Sequence, residues 1–154
     1  MRYLTGIFAL SILAFAQTSE TKREAFTITI KVSGTMFNSG EPIPVHLALQ
    51  NTSGSDIVVT RHRGHRKETR DYRIEIRDSD GQLVPPTPLP LDMIIIGGTS
   101  GQTIKNKETA KDVIDITKHF DIKRPGSYTI QFGKSDPVSG RIVQSNKIFI
   151  TISG

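Results

Sequence analysis

Phe26-Thr27-Ile28-Thr29-Ile30-Lys31-Val32 places an apolar side chain at every second position. That is the period at which successive side chains of an extended chain point to opposite faces, so the segment reads as a half-buried β-strand. The pattern recurs downstream. Val45, Leu47 and Leu49 alternate after the turn Gly40-Glu41-Pro42 and stop at Asn51-Thr52-Ser53-Gly54. Asp56 to His62 is a third candidate strand, and Tyr72, Ile74 and Ile76 mark a fourth that ends at Asp78-Ser79-Asp80-Gly81. Tyr128, Ile130 and Phe132 follow the turn Arg124-Pro125-Gly126, Asp136 to Gly140 forms a hairpin connection, and Ile148, Ile150 and Ile152 alternate in a last strand. These alternating positions are the expected core. Short strands punctuated by Gly, Pro, Asn and Asp, with no longer internal repeat, predict an all-β fold: an antiparallel sandwich of about seven to eight strands, with a closed barrel as the rival.

Two windows are less regular. Ala110, Val113, Ile114 and Phe120 have helical spacing while Ile114 and Ile116 alternate; a sandwich needs a strand here, so we expect one from about Thr109 to Ile116 and a helical turn over Thr117 to Phe120. Between Gly81 and Asn106, Pro85, Pro86, Pro88 and Pro90 forbid a central strand, because each proline removes a ladder donor. The run Met93-Ile94-Ile95-Ile96 is expected as a short edge strand.

The chain opens with Met1-Arg2, an apolar stretch from Tyr3 to Phe15 and the small-x-small triplet Ala14-Phe15-Ala16. This is the pattern of a signal peptide over residues 1–16, and the run is cut short by Gln17-Thr18-Ser19-Glu20 before the roughly 20 apolar residues that a membrane span needs. Residues 17–24 read as a flexible lead-in and 25–154 as one domain, secreted or periplasmic and without stable membrane insertion. The chain has no cysteine. Thiol chemistry, disulfides and a lipid-modified cysteine are therefore excluded, and stability has to come from the core. The net charge is +5, too small to argue for nucleic acid.

The phrases Gly40-Glu41-Pro42-Ile43-Pro44-Val45, Tyr72-Arg73-Ile74-Glu75-Ile76-Arg77-Asp78 with Gly81, Phe120-Asp121-Ile122 leading into Arg124-Pro125-Gly126-Ser127-Tyr128, the stop at Asn51, and Ser145-Asn146 before the last strand carry a resemblance. Together they resemble bacterial exported immunoglobulin-like domains of uncharacterised function. More loosely, they are similar to the bacterial intracellular proteinase inhibitor (BsuPI-like) domain. The resemblance covers most of residues 26–152 and rests on turns and strand starts. It implies an immunoglobulin-like scaffold and no active site. Independently of any family, a tyrosine soon after a tight turn can return its hydroxyl to the upstream backbone, so Tyr128 is expected to make a tyrosine corner.

Motifs for chemistry are sparse. His62-Arg63-Gly64-His65 lacks a third ligand at a metal-binding spacing and sits among cations. Asp78-Ser79-Asp80-Gly81 opens like a calcium loop but lacks its later carboxylates, so a hairpin turn is the simpler reading. Gly97-Gly98-Thr99-Ser100-Gly101 lacks the lysine of a phosphate loop, and neither a nucleophile elbow nor a zinc-protease motif occurs. Asn51-Thr52-Ser53 matches a glycosylation sequon and is read as a turn. No cofactor is called for.

The most unusual composition is Arg61, His62, Arg63, His65, Arg66, Lys67 and Arg70, opposed within the segment only by Glu68. It reads either as a solvated loop between two strands or as an edge that binds anions. Arginine dominates, and its fork pairs bidentately with carboxylate or phosphate. The expectation is a non-enzymatic exported binding module for a protein or an anionic envelope component. The rivals are a proteinase inhibitor, which would use Val84 to Leu91 as its exposed extended loop, and a hydrolase assembled from distant loops.

Overall fold

The structure, a computed structural model, describes residues 23–64, 67–88 and 98–154. Within them run ten strands: β1 (Phe26–Lys31), β2 (Met36–Asn38), β3 (Pro44–Asn51), β4 (Ile57–His62), β5 (Arg73–Arg77), β6 (Thr99–Ile104), β7 (Thr109–Asp115), β8 (Gly126–Ser135), β9 (Ile142–Gln144) and β10 (Ile148–Ser153). A short helix α1 (Lys67–Asp71) lies between β4 and β5, and a 3-10 turn (Ile116–Lys118) follows β7. The fold is an all-β sandwich. One sheet has the order β1-β3-β7, the other has the order β2-β10-β8-β5 with β9 also on β8, and β4 and β6 form a separate two-stranded ladder. Among the described residues, no helix is long and apolar enough to cross a membrane.

The count exceeds the expected seven to eight because two strands are split. β1 breaks after Lys31 and the chain changes sheet, so β2 pairs with β10, Phe37 opposite Ile152. That pairing is parallel, a correction to the purely antiparallel expectation; the other six ladders are antiparallel. Likewise β9 and β10 lie along the same side of β8, interrupted at Ser145–Lys147, because Gly133 pairs with Gln144 on one side and Arg73 on the other. A Cβ on Gly133 would come within 2.7 Å of Ile142 Cγ2, so a larger residue there would have to displace the Ile142 side chain.

The alternation places the core correctly. Of the positions expected inside, all are buried except Val32, Ile74 and Ile148, which are partly buried and pack against the same cluster. The window at Thr109 resolves as a strand to Asp115, and the helical turn begins one residue early. Asp115 explains the early start: its carboxylate accepts hydrogen bonds from the Thr117 backbone at 3.2 Å, the Thr117 hydroxyl at 2.7 Å and the Ile43 N–H at 3.2 Å, capping the turn.

Several turn readings hold. Tyr128 donates its hydroxyl to the Arg124 carbonyl at 2.9 Å, completing the tyrosine corner. Asp78 Oδ1 accepts from the Asp80 and Gln82 N–H groups, and Gly81 sits at φ +76°, so the segment is a turn organised by its own aspartate. Asn51 is 1% exposed and shares its amide N–H groups among the carbonyls of Ser55, Ile104 and Lys105. The sequon asparagine is thus a buried tie between β3 and the end of β6. The expected edge strand at Met93 to Ile96 and most of the 17–24 lead-in lie outside the described residues; Arg23 and Glu24 are exposed and irregular, and Ala25 is buried.

Candidate functional site

The segment from Arg61 to Arg70 is not simply a loop. Arg61 and His62 end strand β4, Gly64 takes φ +91° to turn the chain, and Lys67 to Asp71 form α1. Strand alternation sends the Arg61 side chain to the interior side of the ladder, where the guanidinium meets acceptors from three other elements. Its Nε donates to Gln102 Oε1 at 2.6 Å. Its Nη1 lies 3.0 Å from Asp112 Oδ2, 3.0 Å from the Tyr72 hydroxyl and 3.4 Å from Asp71 Oδ2. Asp71, buried at the end of α1, also accepts from the His62 N–H at 2.7 Å and faces His62 Nδ1 at 2.9 Å. This bends α1 back onto β4. A further contact, Glu68 Oε2 to His119 Nε2 at 3.7 Å, holds the helix against the turn after β7.

Lys134 enters from β8. Only 5% exposed, it donates to the Thr60 carbonyl at 2.9 Å and the Asp71 carbonyl at 2.9 Å, with its ammonium 4.9 Å from the centre of the Tyr72 ring. Arg61 lies over the same ring at 5.8 Å, so two cations flank one π-face system. Burial lowers the Lys134 pKa, and nearby Arg61 adds to this, while Asp71 and Asp112 oppose it. Burial pushes the Tyr72 phenol up to about 12, with Asp112 and Asp71 adding and Arg61 opposing. Arg61 itself is raised: burial works against its charge, but Tyr72, Asp112 and Asp71 outweigh it. The phenol stays neutral and Arg61 stays charged at neutral pH.

This cluster forms the back of a groove of about 530 Å³ between α1 and the β8–β9 hairpin. Arg70 and Arg73 contribute to its walls, Lys134 and Tyr72 to its base, and Pro137 and Ile142 to an apolar side. Among the described residues that line it, the single carboxylate belongs to Asp71, whose oxygens are already engaged by Arg61 and His62.

The basic side chains therefore divide. Arg61 is half-buried and spends its Nε and Nη1 on Gln102, Tyr72, Asp71 and Asp112, and His62 faces Asp71 while also lining the groove, so these two do not stand on one solvated edge with the others. Arg63, Lys67 and Arg70 are exposed, and of these Arg70 reaches the groove. His65 and Arg66 lie outside the described residues. Sequence reasoning missed Arg73 and Lys134; the one signal for Lys134 was a lysine at an inward position of a strand otherwise apolar on that face. Among the described residues, no group of three or more His, Cys, Asp or Glu is placed to hold a metal. The first part of the segment expected as an inhibitory loop is tied down: Val84 N–H donates to Ile76 O and Thr87 N–H to His119 O. Leu89 to Leu91 lie outside the described residues.

No protein-family model matches the chain, and no curated protein matches it. Solved structures with a similar fold include the CARDB domain of PF1109 from Pyrococcus furiosus, at 12% identity and TM-score 0.48 over 83% of this chain and 94% of that one. A β-glucosidase from Listeria innocua is similar at 12% identity and TM-score 0.45, over 86% of this chain but only 17% of the enzyme. The yjhA protein from Bacillus subtilis is similar at 11% identity and TM-score 0.36, over 84% of this chain and 93% of that one. None of them assigns a ligand or a site to this chain.

Proposed function

We propose that the chain is an exported, non-catalytic immunoglobulin-like binding module of the bacterial envelope or exterior, which holds an acidic segment of a partner protein in the groove beside α1. The observation that carries this reading is the charge of the groove: Arg70, Arg73 and Lys134 line it, and the one carboxylate among its described lining residues is spent on Arg61 and His62. Lys134 uses two of its three N–H donors on backbone carbonyls, leaving the third for a ligand oxygen, and a charge-assisted bond in so shielded a place is stronger than one at the surface. Pro137 and Ile142 offer apolar contact beside the cations, which suits a peptide better than a simple ion. Export rests on the signal-like opening and its Ala14-Phe15-Ala16 triplet.

The test uses protein recovered from the envelope or culture fluid of its native cell, where mass spectrometry should read Gln17 as the first residue. A labelled poly-glutamate peptide should bind it in fluorescence anisotropy. The variant R70S/R73S should bind roughly tenfold more weakly, the equivalent of two modest ion contacts. Binding unchanged in that variant, or absent from the parent at low salt, would defeat the reading.

A further inference from the structure

We propose that β6 pairs antiparallel with β6 of a second copy of this chain, joining two sandwiches into a dimer through one continuous ladder. The position follows from which strand edges the fold leaves open. Along β1, the Asn146 side chain bonds both the N–H and the carbonyl of Ile30, at 2.8 and 3.0 Å. On β2, Glu41 accepts from the Asn38 N–H at 2.8 Å, and on β7 Asp112 accepts from the Val113 N–H at 3.1 Å. On β4, Asp71 takes the His62 N–H and Lys134 the Thr60 carbonyl, and on β5 the Val84 N–H takes the Ile76 carbonyl. β9 is only three residues long. The outer edge of β6 has no such cap. The Arg63 N–H bonds to the Gly98 carbonyl, which fixes the phase of the β4–β6 ladder: Ser100, Gln102 and Ile104 turn their backbone groups to β4, and Thr99, Gly101 and Thr103 turn theirs away. Among the described residues, no hydrogen bond reaches these outward groups.

An unpaired edge is a template for another strand, and proteins blunt such edges with charge, proline or a bulge. Thr99-Ser100-Gly101-Gln102-Thr103-Ile104 carries no charge and no proline, and its register against β4 is unbroken. The free backbone groups select an extended chain, and the symmetry of the edge selects a second copy. Pairing about a two-fold axis at Gly101 sets glycine opposite glycine and Thr99 opposite Thr103 of the second copy. All three pairs then fall on outward residues, so each exchanges both of its backbone hydrogen bonds. Threonine opposite threonine is a favourable cross-strand pair. At the axis, Gly101 holds no side chain against the approaching backbone; Val58 Cγ1 stands 2.7 Å from where its Cβ would be, and Val58 itself is 57% exposed beside the edge. Charge favours the same occupant. The chain carries +5, so two copies repel over most of their surfaces and meet least opposition along an uncharged strand. An acidic segment, by contrast, finds no cation on β6 and is drawn to the groove.

The groove borders the far edge of β4, so each reading can fail alone. Sedimentation equilibrium of the protein recovered from its native cell, over about 10 μM to about 1 mM, should show a reversible dimer with a Kd of about 0.1 mM, in the weak range of a small interface. Amide exchange at Gly101 and Thr103 should slow as the concentration rises. Thr103→Pro removes an outward N–H and no bond to β4, and should weaken the dimer roughly tenfold. A charge pair reads the register. Residues 99 and 103 lie about 13 Å apart along one strand, too far to pair within a chain, but they face each other across the axis. T99K/T103E should therefore dimerise roughly fivefold more tightly than the parent and lose that gain in high salt, whereas T99K/T103K should stay monomeric. R70S/R73S should dimerise as the parent does. Thermal melts establish that each variant is folded; should Thr103→Pro fail to fold, the charge pair decides alone. A monomeric parent, a dimer indifferent to Thr103→Pro, or equal dimerisation of the two charge variants would each overturn the proposal. A monomer whose Gly101 and Thr103 amides become protected only on addition of envelope extract would give the edge to another protein, and would overturn it as well.

Discussion

Arg61 and Arg70 stand at the two ends of one basic segment, and the fold puts them to opposite uses. Arg61 lies on an inward position of β4, about one-fifth exposed, and its guanidinium is surrounded by Asp71, Asp112, Tyr72 and Gln102. Arg70 lies on the outward side of α1 and opens into the groove. Both are arginines with the same intrinsic charge. The difference shows that composition predicts a potential only after each charge has been matched with its neighbours: the inner arginine is paired with carboxylates from α1 and β7, whereas among the described residues no carboxylate is paired with the outer one. It also separates two kinds of contribution. A partly buried ion pair is costly to break because its survivor is left desolvated, whereas an exposed arginine contributes little to folding.

The sharpest way to break the comparison is Arg61→Ser. It leaves Oδ2 of Asp71, a side chain only 5% exposed, without its cation, and removes the partners of Gln102 and Tyr72. Breaking a buried pair costs about 3 to 5 kcal/mol; with Arg61 and Asp112 partly in water, we expect about 2 to 3 kcal/mol, read from urea unfolding. A loss below about 0.5 kcal/mol, the range of an ordinary surface change, would mean that the network adds nothing to folding.

A second buried charge sharpens the comparison from the acid side. Asp136, 1% exposed in the β8–β9 hairpin, accepts from the N–H groups of Ala25 at 2.9 Å, Val138 at 2.7 Å and Ser139 at 3.3 Å. Burial favours its neutral form, but the N–H donors of Ala25, Val138 and Ser139, with the Ser139 side chain, outweigh this and lower its pKa. Because the folded value lies below the unfolded one, the stabilisation is present above the unfolded carboxylate value of about 3.9 and is lost as the pH falls through the folded value. Asp136→Asn should therefore cost about 1 kcal/mol at neutral pH and progressively less below about pH 4, where parent and variant unfolding curves should converge. Parallel curves throughout would show that this carboxylate is not the group that titrates.

The smallest expected effect is at the outer end. Arg70→Ser should change stability by less than about 0.5 kcal/mol, as exposed substitutions do, measured by the same urea unfolding as Arg61→Ser. A loss comparable to that of Arg61→Ser would place Arg70 in the folding network and remove the contrast between the two ends.

How much could be read beforehand varied by element. β1, β3, β8 and β10 were legible because a sandwich buries one face of each strand, and the burial prints itself on the sequence with period two. Tyr128 was legible because its partner, the Arg124 carbonyl, lies four residues away. The separate helix α1 was not: its five residues are too few to carry a helical stripe, and Asp71 holds it through the His62 backbone. The parallel β2–β10 pairing joins segments more than 110 residues apart, and β2 is only three residues long.

The amino-acid sequence by itself determined which side chains β1, β3, β8 and β10 turn inward, where the chain turns beside them, and that a cysteine-free core carries the stability. Those features follow from local backbone geometry and from transfer of apolar groups out of water, which act on neighbours along the chain. Which charges cancel and which face solvent was decided only by the tertiary structure. Arg61 meets Asp112 across 51 residues and Gln102 across 41, and Lys134 meets Thr60 across 74. Coulomb energy and hydrogen bonding depend on distance through space, and that distance exists only once the order of strands has brought β4, β7, β8 and α1 together.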